Sequence, residues 1–314
     1  MAGAKMPKII VCIATCNRPQ GIRRTLESLA AQQTQHQLEI LVADNDATRR
    51  EGMAVVEKMA SAGYRWPMEA LLVAERGIPL VRNALVAAAL ARPSATHVAM
   101  LDDDEAASPG WIDAMVETAG RWGADIVGGS VQREMDSAIA PWAARHPLLA
   151  PKQRGQSGPV ALVDSTANVL MAANALHAMG ERPFDERMAL TGGSDKQLFT
   201  RMQRKGFRFA WSEEAVVTEL IPASRVTAQW LLMRGYRVGM TDMMVERFHK
   251  GRLRALAGEA PRIVGGFLVG SLGAVTTFDR GKRVERLGKL YRAAGKIAGL
   301  AGFHYEEYRK VHGA

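Results

Sequence analysis

Lys8-Ile9-Ile10-Val11-Cys12-Ile13-Ala14-Thr15 is rich in β-branched residues and shows no sustained polar alternation. A strand with one wet face alternates apolar and polar side chains, so this one reads as buried on both faces, at the centre of a sheet. Asn17-Arg18-Pro19 follow, then Ile22, Thr25, Leu26, Leu29 and Ala30 at helical spacing, then a second apolar run, Leu38-Glu39-Ile40-Leu41-Val42-Ala43. Strand, helix and strand in that order make a βαβ unit, and the fold class is α/β.

With 314 residues, 47% of them hydrophobic, the chain has enough apolar mass for one large α/β domain plus an appendage, or for two domains. Cys12 and Cys16 are the only cysteines, and extended geometry between them holds their Cα atoms too far apart for a disulfide. That, and the short apolar run at Ile9 that leads straight into Asn17-Arg18-Pro19 without a cleavable signal, favours a reducing, cytoplasmic setting. The formal charge of +9 is uneven: residues 221–314 carry 17 Lys/Arg and 7 Asp/Glu, a net of +10, which leaves −1 for residues 1–220. A basic C-terminal region suits an anionic membrane surface, a phosphorylated ligand or nucleic acid, and charge alone does not choose.

Thr15-Cys16-Asn17-Arg18-Pro19 has no glycine-rich turn and no Walker lysine, which weakens dinucleotide and P-loop readings. The second strand ends in Asp44-Asn45-Asp46, at the carboxyl end where open α/β sheets bind ligands, although these residues also suit a plain turn. Pro79 opens an alanine-rich helix that places Arg82 near its start, a position the helix dipole does not favour; either solvent or a nearby anion holds that arginine. After His97-Val98-Ala99-Met100-Leu101 come Asp102-Asp103-Asp104-Glu105. Four acids at the exit of a buried strand repel one another unless a cation or a solvated turn relieves them, and a metal site is the leading reading.

Ser108-Pro109 is suited to N-cap the next helix, with Trp111, Ile112, Met115, Val116 and Ala119 on one face. Asp125 to Val131 reads as a strand, residues 132–160 as a long irregular connection, and Val163 to Ala172 as a strand pair or a strand plus turn. Thr191-Gly192-Gly193-Ser194-Asp195 leads into a helix that stops at Gly206, where Asp195 or Ser194 also suits a simple N-cap. Two short apolar stretches, Phe207 to Trp211 and Ala215 to Leu220, precede a helix with Arg234 and Arg237 on one face, placed to straddle a phosphate or to face solvent. Ile263 to Phe278 is uncharged but shorter than the roughly 20 residues of a spanning helix. The helix after it separates Val284, Leu287, Tyr291, Ala294 and Ala298 from its cations, as an interfacial helix or an ordinary capping helix would.

Thr15 to Pro19, Val42 to Ala47, Gly77 to Asn83, Asp102 to Glu105, Thr191 to Asp195 and Trp230 to Arg237 form an ordered set. In it the chain resembles the inverting family 2 glycosyltransferases of the GT-A fold, and among them bacterial succinoglycan and exopolysaccharide-type glucosyltransferases, over residues 8 to about 240. The resemblance implies a GT-A mixed sheet flanked by helices over 1–240 and a basic amphipathic helical region over 241–314. It implies that Asp44 binds the nucleobase with Thr15 and Arg18 near it, and that Arg82 lies by the nucleoside or its phosphates. Asp102-Asp103-Asp104 would be the DXD-type motif, with Asp104 as the ligand of Mg²⁺ or Mn²⁺, Asp103 toward the ribose or sugar and Asp102 in support. Arg234 or Arg237 would offset charge on the departing diphosphate, and Asp195 would be the base. Ser194 stands where the family often has Glu, and Cys16 where some relatives carry an aromatic.

The implied reaction is single displacement with inversion from a nucleotide sugar, UDP-glucose first, to a saccharide on a polyprenyl diphosphate carrier. The enzyme would then sit peripherally on the inner face of the bacterial membrane. The alternative is a non-catalytic polyanion- or nucleic-acid-binding protein. It has less support, since aromatics make up 6% and do not interleave with the basic run as single-strand stacking platforms do.

Overall fold

The computed structural model describes residues 7–135, 139–163 and 165–305. Its first part is a parallel sheet built from β1 (Lys8–Thr15), α1 (Pro19–Ala30), β2 (Gln37–Asp44), α2 (Glu51–Ser61), β3 (Met68–Leu72), α3 (Ile78–Leu90) and β4 (Ala95–Asp102). β1 pairs in parallel with β2 on one side and β4 on the other, and β3 extends the sheet beyond β2. The chain thus reverses its direction of travel across the sheet at β1, and the crevice at the carboxyl ends of β1 and β4 is a switch point of the kind that receives ligands.

β1 shows why the sequence folds this way. Ile9, Val11 and Ile13 point into one core with Ile22, Leu26 and Leu29 of α1. Ile10 and Cys12 point into the other with Val81, Leu85 and Val86 of α3. A period-two strand between two helical layers can be apolar at every position, as β1 is from Ile9 to Ala14. Cys12 and Cys16 are both free thiols.

A mixed half follows: β5 (Glu105–Ala107), α4 (Trp111–Trp122), β6 (Ile126–Met135), α5 (Pro141–Ala144), β7 (Gly158–Val160), β8 (Asn168–Ala172), α6 (Ala173–His177), α7 (Ser194–Arg204) and β9 (Phe209–Ile221). The strand order is β3-β2-β1-β4-β8-β6-β9-β5, with β7 on β9. β8 runs antiparallel to β4 and β6, which makes the sheet mixed, as the GT-A resemblance implies.

Several local expectations change. Gly110, not Ser108, is the N-cap of α4. The Ser108 carbonyl accepts from the Gln32 side-chain amide (2.7 Å) instead, which ties the loop to α1. Residues 132–160 are not irregular throughout: β6 continues to Met135 and bridges Lys152 from Val131. Polar side chains on both faces of Gln132-Arg133-Glu134 concealed that continuation. The stretches at 207–211 and 215–220 belong to the single strand β9, whose polar interruption at Ser212-Glu213-Glu214 coincides with a shift of register against β6. Asp164, in the stretch expected to form a strand or turn, lies outside the described residues.

The chain ends in three helices, α8 (Ala228–Lys250), α9 (Arg252–Thr276) and α10 (Arg280–Ala301). α8 runs unbroken across residue 240. Thr227 caps α8 through the amide of Trp230 (3.1 Å), and Asp279 caps α10 through the amide of Lys282 (2.8 Å). α8 and α10 meet at glycines: a Cβ on Gly239 would lie 2.0 Å from the Arg292 carbonyl oxygen, and one on Gly295 would lie 2.0 Å from that of Tyr236. α10 packs with Val284, Ala293, Lys296 and Gly299 buried, while Leu287, Tyr291, Ala294 and Ala298 are half-buried. No helix among the described residues is long and apolar enough to cross a membrane.

Candidate active site

A cavity of about 280 Å³ opens at the carboxyl ends of β1 and β4. Thr15 ends β1 and Arg18 follows it, Asp102 ends β4, Asp103 and Asp104 form the turn before β5, and Arg76 and Arg82 flank the start of α3. Glu219 and Arg225 arrive from β9 and the turn after it, Arg133 from β6, and Trp230 and Arg234 from α8. Six arginines and four carboxylates line this space, an excess of two positive charges.

The charges form a chain. Arg82 donates to Asp102 (3.2 Å), which answers what anion holds an arginine at that helix start. Arg18 donates to Asp103 (2.6 Å) and Asp104 (3.0 Å), and Arg225 reaches Asp104 (3.2 Å) and Glu219 (3.5 Å). Arg133 closes the chain on Glu219 (3.1 Å) and donates to the carbonyls of Leu148 and Ala150. Thr15 adds a hydroxyl donor to Asp103 (2.8 Å). Like charges crowd along one strand exit, and arginines drawn from distant parts of the chain relieve the repulsion.

Burial raises Asp103 to about 6 against the pull of Arg18. Asp102 is also raised by desolvation although two-fifths of its side chain is open to the cavity, and Arg82 only partly offsets this. Burial opposes the charge of Arg18, yet Asp103 and Asp104 outweigh it and raise its pKa. Glu105 is 2% exposed and lies well above the usual carboxylate range because of burial, with Asp102 adding to the shift. It accepts from the Asp102 amide (3.0 Å) and, as the first residue of β5, supports the turn.

Three sequence candidates stand off the cavity wall. Asp44 is fully buried, and its two oxygens accept from the amides of Asp46 (3.0 Å) and Met53 (3.1 Å). Its neighbour Asn45 lines the cavity, donates to the carbonyls of Val73 and Glu75 and accepts from the Gly77 amide, so it joins the end of β3 to the entrance of α3. Arg237, one turn beyond Arg234, is buried and does not line the cavity. Asp195 is half-buried in the first turn of α7 and does not line it either, but its charge contributes to raising Asp102.

The loop that delivers Asp195 is built for position. Asn83 of α3 donates to the Phe184 carbonyl (2.9 Å) and Glu186 (3.0 Å) and accepts from the Phe184 amide. Gly192 and Gly193 then take φ of +75° and +94°, conformations that favour glycine, and Gly193 is the N-cap. Neither Ser194 nor Asp195 caps the helix, so the simple N-cap reading of Asp195 does not hold.

The profile of Glycosyl transferase family 2 matches residues 10–179. The chain belongs to this family. It is 31% identical to the succinoglycan biosynthesis protein ExoM of Rhizobium meliloti (strain 1021), over 96% of this chain and 95% of that protein. The fold is also that of S. aureus TarS: a TM-score of 0.53 at 13% identity covers 93% of this chain and 54% of TarS, and a TarS 1-349 structure in complex with UDP gives 0.50 at 13% identity, over 95% and 93%. The protein is therefore an inverting hexosyltransferase of GT-A topology that moves a sugar from a nucleotide sugar to a glycan acceptor. Membership sets aside the non-catalytic alternative.

Family 2 also implies a divalent cation. Among the described residues no three His, Cys, Asp or Glu side chains gather into a self-sufficient metal site. Mg²⁺ commonly takes only one or two carboxylates and completes its shell with phosphate oxygens and water. Asp104 and its neighbours, hard oxygen donors on an arginine-lined cavity, fit that kind of binding.

Arg225, Glu219, Arg133 and Arg76 are the residues that sequence reasoning missed. Arg225 and Glu219 sit outside any motif and meet Asp104 from more than 100 positions away. Only the pairing of β5 with β9, which sets Glu105 opposite Glu219, brings them there.

Proposed function

We propose that the protein transfers glucose from UDP-glucose, with inversion, to a saccharide carried on a polyprenyl diphosphate during cell-surface glycan synthesis, at the inner face of the cytoplasmic membrane. The observation that carries this reading is the cavity's excess of two positive charges at the sheet switch point, matched to a sugar diphosphate. The likeness to a succinoglycan biosynthesis protein supports the pathway class, and the UDP complex of TarS supports the nucleotide.

In this mechanism Arg18, Arg82 and Arg234 orient the diphosphate, Thr15 and Asp103 hold the nucleoside and sugar, Asp44 braces from behind the turn that carries Asn45 to the cavity, and Arg237 backs Arg234 from inside α8. Asp104, with Asp102 and Asp103 beside it, would hold Mg²⁺ or Mn²⁺, which supplies charge neutralisation on the phosphates. Asp195 takes the proton of the acceptor hydroxyl as that oxygen bonds to the anomeric carbon. The bond from that carbon to the β-phosphate oxygen breaks, and UDP leaves with its electron pair. One displacement gives inversion, with no covalent enzyme intermediate.

Asp195→Asn tests the assignment. General-base catalysis contributes about 10²- to 10⁴-fold, so turnover should fall within that range while UDP binding stays at the wild-type value. Normal turnover in Asp195→Asn with intact UDP binding would refute the base.

A further inference from the structure

α9 is built inside out. Its inner face is small: Gly266, Gly270 and Gly273 lie against α10, where added Cβ atoms would meet the Lys289 carbonyl oxygen at 3.0 Å, Leu290 Cβ at 2.6 Å and Arg286 Cγ at 2.7 Å. Ile263 is buried beside Met243, but most of its large aliphatic residues point outward: Leu253 is 82% exposed, Val264 57%, Leu268 58%, Leu272 65% and Val275 82%, and Phe278 just beyond the helix is 92% exposed. At 3.6 residues per turn the five helical positions fall within an arc of about 100°, a stripe about 33 Å long. A helix of a water-soluble surface does the reverse, burying leucine and exposing small or polar residues. Residues 263 to 278 contain no charge, and exposed cations flank that stretch, Arg252, Arg254 and Arg262 before it and Arg280, Lys282 and Arg283 after it.

We propose that this face of α9 lies in the interface of an anionic bilayer, its aliphatic stripe among the upper acyl chains and the terminal cations on lipid phosphates. The proposal rests on the reading of a membrane-borne acceptor, and it places the contact on α9 rather than on α10, whose Val284 and Ala293 are buried. Charge complementarity selects the occupant. A second copy docked face to face would bring the same cations against these, whereas an anionic headgroup layer offers the opposite sign along the whole stripe. Nucleic acid would find no cation along the uncharged stretch from residue 263 to 278, which holds most of the exposed aliphatic surface. Interfacial helices with an apolar face and basic flanks bind by these two terms together.

The test is co-sedimentation of the full chain with phosphatidylglycerol–phosphatidylcholine vesicles, in wild type and in Leu268→Glu/Leu272→Glu. Both leucines are exposed and outside the cavity, so UDP affinity should be unchanged in the variant and reports intact folding. We expect wild type to pellet with anionic vesicles, binding to fall about tenfold or more in the variant, and pure phosphatidylcholine to capture several-fold less than the mixture. Equal sedimentation of the two proteins, or no sedimentation of wild type, overturns the proposal. So does a wild-type dimer that the double variant converts to monomer without any change in vesicle binding, which would assign the face to a second copy. If wild type binds vesicles through these leucines yet transfers no sugar to any lipid-linked acceptor, the docking face stands and the acceptor reading fails.

Discussion

Asp242, buried in the middle of α8, accepts from Lys196 of α7 and from Arg292 of α10 (2.7 Å). Burial by itself raises a carboxyl's pKa, but here the two cations outweigh it and lower that of Asp242. Asp242→Asn keeps an acceptor oxygen, removes the charge and leaves the two cations facing each other across a neutral amide. Removing one member of a fully buried pair costs about 3–5 kcal/mol. The Lys196 and Arg292 side chains are 33% and 53% exposed and can recover water, which brings the expected cost to about 2 kcal/mol. That is a change of about thirtyfold in the folded-to-unfolded ratio.

The sign of the pH dependence follows from the lowered pKa. A carboxyl depressed in the folded state stabilises at pH above its unfolded value of about 3.9, and that stabilisation is lost as pH falls through the folded value. Urea unfolding followed by tryptophan fluorescence should separate wild type from Asp242→Asn at pH 7, and the separation should shrink as pH drops below about 4. Because Lys196 adjoins Asp195, turnover should also fall in the variant while UDP affinity holds. Equal stability of the two proteins at pH 7, or a gap that stays constant through pH 3, refutes the reasoning.

Gly239→Ala places a Cβ 2.0 Å from the Arg292 carbonyl oxygen, so α8 and α10 must part. The strain, at the upper end of about 1–3 kcal/mol, exceeds the helix-propensity gain of about 1 kcal/mol, and the melting temperature should drop by several degrees. Gly265→Ala, with nothing near its added Cβ, should instead raise it slightly. Asp104→Ala should abolish the increase in UDP affinity that Mn²⁺ confers, measured by titration calorimetry with and without the metal; an unaltered Mn²⁺ effect removes Asp104 as the ligand.

Where one element decides its own structure, the sequence was sufficient. β1 could be read because its eight residues sit between two helical layers and carry no polar alternation, and Gly192-Gly193 because a sharp entry to α7 needs left-handed backbone. The acidic turn was legible as a problem in electrostatics but not in its solution. Arg18 reaches these acids through the pairing of β1 with β4, Arg225 through that of β5 with β9, and Arg133 joins Glu219 through that of β6 with β9, and such pairing leaves no local mark. The same limit explains the stretch after Gln132: a strand polar on both faces reads as a loop until its partner is known. For α9, an uncharged, glycine-rich run gives the period but not which side meets the protein, and that was settled by how closely α10 approaches its glycines.

The basic C-terminal region, described from composition as an appendage, is joined to the site at two points. The start of α8 supplies Trp230 and Arg234 to the cavity, and Asp242, two to three turns later, holds the residue next to Asp195. Arg292 brings α10 to that same carboxylate, and Lys296 of α10 pairs with buried Glu259 of α9. Glycines at both helix contacts leave little slack between these charged pairs, since close-packed backbones cannot slide without clashes. A set of ion pairs and backbone contacts therefore runs from buried Glu259 of α9 through α10 and α8 to the first turn of α7. With Asp195 as the proposed base and α9 as the proposed docking face, a surface that fixes α9 would also fix the direction from which an acceptor hydroxyl approaches Asp195.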